Sequence, residues 1–117
     1  MFIEDRPTRE DIPYGTLDML ILQTLAKGQP MHGFEIASYI QEHYEEVLQV
    51  EEGSLYPALQ RMLLSGWITG DWDRTEENRR ARYYRLTAAG RKALQRELQR
   101  YARVTQAIGR VLQNQPA

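Results

Sequence analysis

The sequence contains no cysteine, which excludes disulfide bonds and thiolate metal sites. No apolar stretch approaches the roughly 20 residues that a membrane-spanning helix needs, and the charged start at residues 1–6 lacks the apolar run of a signal peptide. The 117 residues, of which 42% are hydrophobic, suffice for one domain whose modest core a second subunit could enlarge. We therefore expect a single-domain cytoplasmic protein.

The sequence motifs typical of enzymes are absent as well. The chain has no nucleophile elbow, no glycine loop of the kind that cradles phosphate, and no acid and base paired by spacing. Its two histidines, His32 and His43, have no pair of carboxylates at ligand spacing. We predict no catalytic residue, metal or other cofactor, and we interpret His32 as a structural or capping residue rather than a metal ligand or pH switch.

The net charge of −1 by itself argues against a nucleic-acid partner, but the charge is unevenly distributed along the chain. Residues 1–53 hold 3 Lys and Arg against 11 Asp and Glu, whereas residues 54–117 hold 12 against 5. A locally basic surface is what counterion release from DNA requires. The alternative interpretation is two solvated faces of opposite sign.

The basic half begins within residues 51–62, a segment with the pattern of a helix that has one buried and one exposed face. Ser54 is predicted to be its N-cap, with Pro57 in the first turn, where a backbone N–H is not needed. Helical spacing predicts a buried stripe of Leu55, Leu59, Met62 and Leu63. The exposed face of this predicted recognition helix would then carry Tyr56, Pro57, Gln60 and Arg61.

Residues 1–15 mix charges with prolines and show no period, so we interpret them as an arm or a short helix packed on another element. Thr16 is the predicted N-cap of a helix over Leu17–Lys27. That helix is apolar nearly all round, with Leu17, Leu20, Ile21 and Leu25 on one stripe and Met19, Leu22 and Ala26 off it. Because such a helix is buried on more than one side, we predict that Leu22 faces a second subunit, although the arm could cover it instead.

A second helix is predicted from Phe34 to Tyr44, on which apolar residues recur at helical spacing. It would be the first helix of a helix-turn-helix. The brief alternation over Val47–Val50 indicates a short strand that leads into the recognition helix.

Two stretches rich in aromatic and β-branched residues, Trp67–Trp72 and Arg82–Leu86, predict a hairpin joined by residues 73–81. Between residues 74 and 85 this hairpin carries Arg74, Arg79, Arg80, Arg82 and Arg85 against only Glu76 and Glu77. Arginine is well shaped for bidentate contact with phosphate, so the density of arginines favours a DNA-binding wing. The alternative is a solvated loop with one or two salt bridges. We expect Tyr83 and Tyr84 to pack on the sheet rather than to stack on bases.

Thr87 is the predicted cap of a long helix from Ala88 to about Leu112. Its apolar residues Leu94, Leu98, Tyr101, Thr105, Ile108 and Leu112 follow the a/d spacing of a coiled-coil seam. The pattern lasts fewer than three heptads, so we expect it to pack against the first helix and a partner's copy of the same region. The alternative is a lid on the core of the same chain.

Three motifs, Met31–Ile36, Gly53–Leu59 and Tyr83–Gly90, occur in an order and spacing that resemble the PadR family of winged-helix transcriptional regulators. The resemblance runs from about Thr16 to the final helix. It implies a regulator that most often represses its own or a neighbouring operon. Phe34 departs from the family pattern, since many relatives carry Tyr there, and any phosphate contact through that hydroxyl would be missing.

The resemblance also bears on small-molecule effectors. Relatives that sense planar drugs or phenolic compounds use a pocket at the dimer centre. The long helix here offers Tyr101 but no Trp, so a phenolic or drug ligand is not supported, and the identity of any effector stays open.

We predict a mainly α fold with a small β-hairpin: an N-terminal arm (1–15), a winged-helix DNA-binding domain (16–86), and a C-terminal dimerisation helix and tail (87–117). The expected function is that of a dimeric repressor on a pseudo-palindromic operator in double-stranded DNA; the alternative is a protein-interaction module that does not bind DNA. The predicted DNA contacts are Ser54, Tyr56, Pro57, Gln60, Arg61, Arg79, Arg80 and Arg82. The predicted dimer interface comprises Leu22, Leu94, Leu98, Tyr101, Thr105, Ile108 and Leu112.

Overall fold

The computed structural model describes residues 10–11, 15–43, 48–50 and 52–113. Its helices are α1 (Leu17–Leu25), α2 (Gly33–Glu42), α3 (Glu52–Leu64) and α4 (Ala88–Gln113). Its strands are β1 (Glu10–Asp11), β2 (Met31–His32), β3 (Leu48–Gln49), β4 (Ile68–Arg74) and β5 (Arg80–Leu86). The fold is mainly helical with a long final helix, as the sequence predicted.

Helix α1 is enclosed by its own chain and contacts α2, α3, α4 and β5. Met19, Ile21, Leu22 and Leu25 are all buried, and Leu22 is 0% exposed. The prediction that Leu22 faces a second subunit was therefore wrong, because the neighbouring elements of the same chain leave it no free surface. Thr16 occupies the N-cap position, but its side chain does not make the predicted capping hydrogen bond.

Helix α2 begins with a capping box formed by His32 and Glu35. The backbone N–H of Glu35 donates to His32 Nδ1 at 3.3 Å, and the backbone N–H of His32 donates to the Glu35 carboxylate at 3.0 Å. This pair satisfies two of the donors that a helix start leaves unpaired. The interpretation of His32 as a capping residue is confirmed. The predicted end of this helix at Tyr44 lies outside the described residues.

Helix α3 starts at Glu52, two residues before the predicted cap, so the prediction that Ser54 is its N-cap was wrong. A serine cap contributes only about 1 kcal/mol, which the packing of a helix on the core can override. Pro57 consequently lies in the second turn, not the first, and it cannot donate to the carbonyl of Gly53.

The sheet has three antiparallel strands in the order β2-β5-β4, so the predicted hairpin gains a third strand. The hairpin pairs regularly from Ile68 with Leu86 to Arg74 with Arg80, and its turn is therefore shorter than predicted. Strand β2 has only two residues, too few to show an alternation in the sequence. A separate parallel pairing of β1 with β3 joins the end of the N-terminal arm to the segment before α3.

The start of α4 is fixed to the segment before β4. The Thr87 hydroxyl accepts from the backbone N–H of Gly90 at 3.0 Å and donates to the carbonyl of Gly66 at 2.7 Å, which confirms Thr87 as the cap. A Cβ at Gly90 would overlap the backbone carbonyl oxygen of Trp67. Glycine at position 90 therefore allows the first turn of α4 to pack directly on this backbone.

Burial along α4 changes sharply after its second turn. Leu94 lies in the core of its own chain and is only 7% exposed, so its assignment to a dimer interface was wrong. Every later residue of the predicted seam is exposed. We name these residues the distal seam: Leu98, Tyr101, Thr105, Ile108 and Leu112.

Candidate nucleic-acid interface

The exposed face of α3 carries the side chains that the sequence predicted for it. Tyr56, Pro57, Gln60 and Arg61 are exposed, and so is Ser54 in the first turn. The opposite face buries Leu55, Ala58, Leu59 and Met62 in the core. Because this burial fixes the rotation of the helix about its axis, the polar face must point away from the protein.

Tyr56 is held against the start of α2 although it is 56% exposed. A Cβ on Gly33 would lie only 3.0 Å from the Tyr56 hydroxyl oxygen, so glycine leaves room for the tyrosine ring. Phe34, 73% exposed, lies beside this contact and stacks on His32 at a ring-centroid distance of 6.5 Å. His32 in turn meets the edge of Tyr83 on β5 at 5.2 Å. The start of α2 therefore contacts α3 through Tyr56 and β5 through Tyr83.

Arg61 is paired within the protein. Its Nη2 donates to the Asp18 carboxylate at 2.8 Å, across the gap between α3 and α1. Both side chains keep solvent access, so the pair contributes little to stability. Its effect on DNA binding is electrostatic, because the aspartate offsets one positive charge on the proposed recognition face.

The wing, formed by β4, β5 and the turn between them, has two faces of opposite charge. In the hairpin register Trp72 pairs with Arg82 and Arg74 pairs with Arg80, so these four side chains share one face. We name it the arginine face. The intervening residues place Asp71 and Asp73 on the other face, paired with Tyr83 and Ala81, and Arg85 lies on that face too, at the base of the wing.

Trp72 organises the arginine face. The guanidinium carbon of Arg80 lies 4.6 Å from the centre of the indole ring, and that of Arg82 lies 5.9 Å from it. Both distances are within the range of a cation–π interaction. None of Arg74, Arg79, Arg80 and Arg82 forms an ion pair with a described residue, so their charges are not neutralised there.

The turn at the tip of the wing is ordered by its own hydrogen bonds. The backbone N–H of Thr75 donates to the Arg79 carbonyl at 2.7 Å, and Arg74 Nη1 donates to the Asn78 carbonyl at 3.1 Å. Asn78 has a positive φ of 63°, a conformation that asparagine tolerates better than most residues. The Arg79 side chain, next in the chain, is exposed.

Tyr84 shares the arginine face and lies in one core cluster with Leu55, Leu59 and Met62 of α3. Its side chain is buried at the base of the wing, as expected for a residue that packs on the sheet. Burial raises the pKa of Tyr84 above its ordinary value; Arg82 opposes this rise and Tyr56 adds to it. The phenol is therefore neutral near pH 7, and it does not cancel the charge of Arg82.

The described residues offer neither a metal site nor a membrane-spanning helix. No group of three or more histidine, aspartate or glutamate side chains there is arranged to hold a metal ion. None of the described helices is both long and apolar enough to cross a membrane.

Sequence reasoning missed Trp72, Gly70 and Asp18 as parts of this surface. The pairing of Trp72 with Arg82 could have been found from the hairpin register. Once the residues paired at the two ends of a regular hairpin are known, every other cross-strand pair can be counted off. The contact between Asp18 and Arg61 has no such signal, because 43 residues separate the two in sequence.

Comparisons with known proteins place the chain in a family. Residues 21–96 match the model of the transcriptional regulator PadR-like family. An uncharacterised protein of Lysinibacillus sphaericus is 28% identical over 100 residues, which cover 86% of this chain and 91% of that protein.

Solved structures agree with this assignment. A transcriptional regulator from Clostridium thermocellum is 29% identical with a TM-score of 0.75, over 82% of this chain and 92% of that one. A PadR family transcription regulator from Clostridium difficile is 29% identical with a TM-score of 0.71, over 84% and 99% of the two chains. Together with the winged helix-turn-helix and the exposed polar face of α3, these matches show that the chain belongs to the PadR-like family of transcriptional regulators, which are DNA-binding proteins and not enzymes.

Proposed function

We propose that this protein is a dimeric repressor that binds a pseudo-palindromic operator. The observation that carries the proposal is that the exposed face of α3 and the arginine face of the wing belong to elements packed on each other: α3 contacts β4, and Tyr84 lies in one core cluster with Leu55 and Met62. A polar helix face flanked by unpaired arginines suits DNA, in which base edges lie between two rows of phosphates.

The two elements would divide the recognition between them. Helix α3 would enter the major groove, where the Gln60 amide can read a base edge and Ser54, Tyr56 and Arg61 can reach phosphates. Arg79, Arg80 and Arg82 would hold the flanking backbone and fix the register of the complex.

The distal seam supports a dimer. Leu98, Tyr101, Ile108 and Leu112 are large apolar side chains on one stripe, and each is more than two-fifths exposed in the single chain. A stripe of this kind marks a protein contact. A second copy of the same chain is the occupant we propose, because a/d spacing lets two identical helices pack on each other about a two-fold axis.

A two-fold dimer sets the geometry of the operator. Two copies of α3 would enter successive major grooves about 34 Å apart, which implies two inverted half-sites one turn of DNA apart. Repression would follow from occupancy of this site, and an effector would act by changing the angle between the two recognition units.

A gel shift on the DNA upstream of the protein's own gene tests the proposal. We expect a retarded complex at nanomolar protein that survives excess random competitor DNA, and footprinting should show two protected half-sites. The matched control is the same duplex with one half-site scrambled. Equal affinity for operator, scrambled and random duplexes would contradict sequence-specific repression, and no DNA binding at all would favour a protein-interaction module.

A further inference from the structure

We propose that Trp72 and Gly70 are positioning residues that preorganise Arg80 and Arg82 for contact with the DNA backbone. This inference rests on the proposed function, since it assigns a task to two side chains that need not contact DNA themselves. It also specifies which face of the wing meets the nucleic acid.

The position of Trp72 supports the first part of the inference. The side chain is 57% exposed, although an indole gains more by burial, and its ring has both guanidinium groups over it. A guanidinium that stacks on an aromatic ring keeps its N–H groups in plane and directed outward. Trp72 thus supplies a fixed support for Arg80 and Arg82 at the outer half of the wing.

Gly70 provides the space in which the stem of the Arg82 side chain lies. A Cβ at Gly70 would come within 2.6 Å of Arg82 Nε and 3.2 Å of its Cδ, so the arginine stem lies over the glycine. Arg82 Nε is buried and has no hydrogen-bond partner among the described residues. Because this nitrogen is enclosed, the terminal nitrogens of Arg82 are the ones left to bind a phosphate.

The charge pattern identifies the partner as a polyanion on this face. Arg80 and Arg82 have no carboxylate partner among the described residues, whereas the opposite face of the hairpin carries Asp71 and Asp73. At the outer half of the wing a phosphodiester backbone would be attracted to the first face and repelled by the second, since Arg85, the cation of the second face, lies at the base across from Thr69. Tyr84 shares the arginine face and packs in one core cluster with Leu55 and Met62 of α3, so the wing and α3 are adjacent, as simultaneous contact with one duplex requires.

Preorganisation has a measurable consequence. An arginine that is already ordered loses less side-chain entropy when it binds, and for two arginines this amounts to roughly ten-fold in affinity. Removing the support should therefore weaken operator binding although no charge is lost.

The experiment measures operator affinity by fluorescence anisotropy, over a range of salt, for wild type and a set of variants. Trp72→Leu removes the ring, Trp72→Phe keeps an aromatic surface, and Gly70→Ala displaces Arg82 without changing its charge. Each substitution is repeated in an Arg80→Ala/Arg82→Ala background. Circular dichroism and thermal melting verify the folding of every variant.

We expect Trp72→Leu to weaken binding by about ten-fold, Gly70→Ala, which displaces Arg82 alone, by about three-fold, and Trp72→Phe to stay within about two-fold of wild type. In the double-alanine background neither Trp72→Leu nor Gly70→Ala should weaken binding further, because the arginines they position are gone. Wild-type affinity in the folded Trp72→Leu and Gly70→Ala proteins would overturn the inference. An equal loss of operator affinity in the wild-type and double-alanine backgrounds would also overturn it, because Trp72 would then contact the DNA independently of the two arginines. Failure of the wild type itself to bind would instead refute the proposed function.

Discussion

Two apolar stripes in this chain look alike in sequence and differ completely in structure. Of the apolar residues of α1, Ile21, Leu22 and Leu25 are buried entirely within one chain. The distal seam of α4, with Leu98 and Ile108, is open to solvent. Periodicity therefore identifies which residues need to be covered, but it does not say which molecule covers them.

The path of the chain explains the difference. Helix α1 is short and lies against α2, α3, α4 and β5. Helix α4 has 26 residues, and Arg100 already lies beside Gly15, just before the start of α1. The remaining residues, 101–113, extend about 20 Å at 1.5 Å per residue, beyond the cover that α1 can provide. Substitution of a buried residue of α1 should thus change the stability of the chain. Substitution of an exposed residue of the distal seam should instead change the association of subunits or the binding of DNA.

The largest effect should come from charging the distal seam. Leu98→Glu with Ile108→Glu would place unpaired carboxylates in the proposed contact between two copies, which costs several kcal/mol and should produce monomers. Operator affinity should fall by more than about 100-fold, since one half-site alone must then hold the protein. Light scattering coupled to size exclusion measures the mass.

The matched control is Gln99→Glu with Gln106→Glu, which adds the same two charges to exposed positions off the seam. It should leave the mass unchanged. A charged-seam variant that keeps the mass of wild type would show that the distal seam is not the contact between subunits.

Substitution of the buried residue Leu22 should change the stability of the chain and leave the association of subunits unchanged, in contrast to the distal seam. Leu22→Ala leaves a cavity at a fully buried site and should lower the free energy of unfolding by about 2 to 5 kcal/mol. The mass of the folded protein should not change. Urea denaturation and light scattering test the two halves of this prediction. Dissociation without a loss of chain stability would place Leu22 at a subunit contact after all.

Removing the wing charges should have a smaller effect, confined to DNA. Arg79→Ala, Arg80→Ala and Arg82→Ala combined should weaken operator binding by roughly ten- to a hundred-fold and reduce the slope of log affinity against log salt by up to about three. Folding and mass should be unaffected, because these side chains form no ion pair with a described residue. An unchanged salt slope would remove the wing from the interface.

The smallest effect should come from the pair between Arg61 and Asp18. Asp18→Asn removes a negative charge beside the recognition face and should tighten DNA binding by about two- to five-fold, with greater gain at low salt. Stability should change by less than about 1 kcal/mol, since both side chains keep solvent access. Anisotropy at two salt concentrations measures the gain; weaker binding would mean that Asp18 orients Arg61 for its contact.

The parts of the fold that depend on local pattern were predictable. The buried and exposed faces of α3, the capping roles of His32 and Thr87, and the hairpin all follow from spacing and local hydrogen bonding. The start of α3 at Glu52 was not predictable, because a cap preference at Ser54 is weaker than the packing of the whole helix.

Features that depend on distant parts of the chain were missed. Strand β2 exists because two residues pair with Tyr83 and Tyr84, more than 50 positions later in the sequence. The complete burial of Leu22 likewise depends on the assembly of the elements around α1. In the candidate interface the density of arginines in the sequence was enough to identify them. The contacts of Arg80 and Arg82 with Trp72 depend on the pairing register of β4 and β5, which the sequence pattern did not give.

The central claim is that two chains joined at the distal seam bind one operator, and sedimentation velocity tests it most directly. Wild-type protein is mixed with fluorescently labelled operator duplex at micromolar concentration, and the masses of free protein and complex are determined together. We expect a dimer without DNA and a complex of two chains per duplex. A monomer that binds the operator one chain per duplex would contradict both the dimer seam and the two-half-site mechanism.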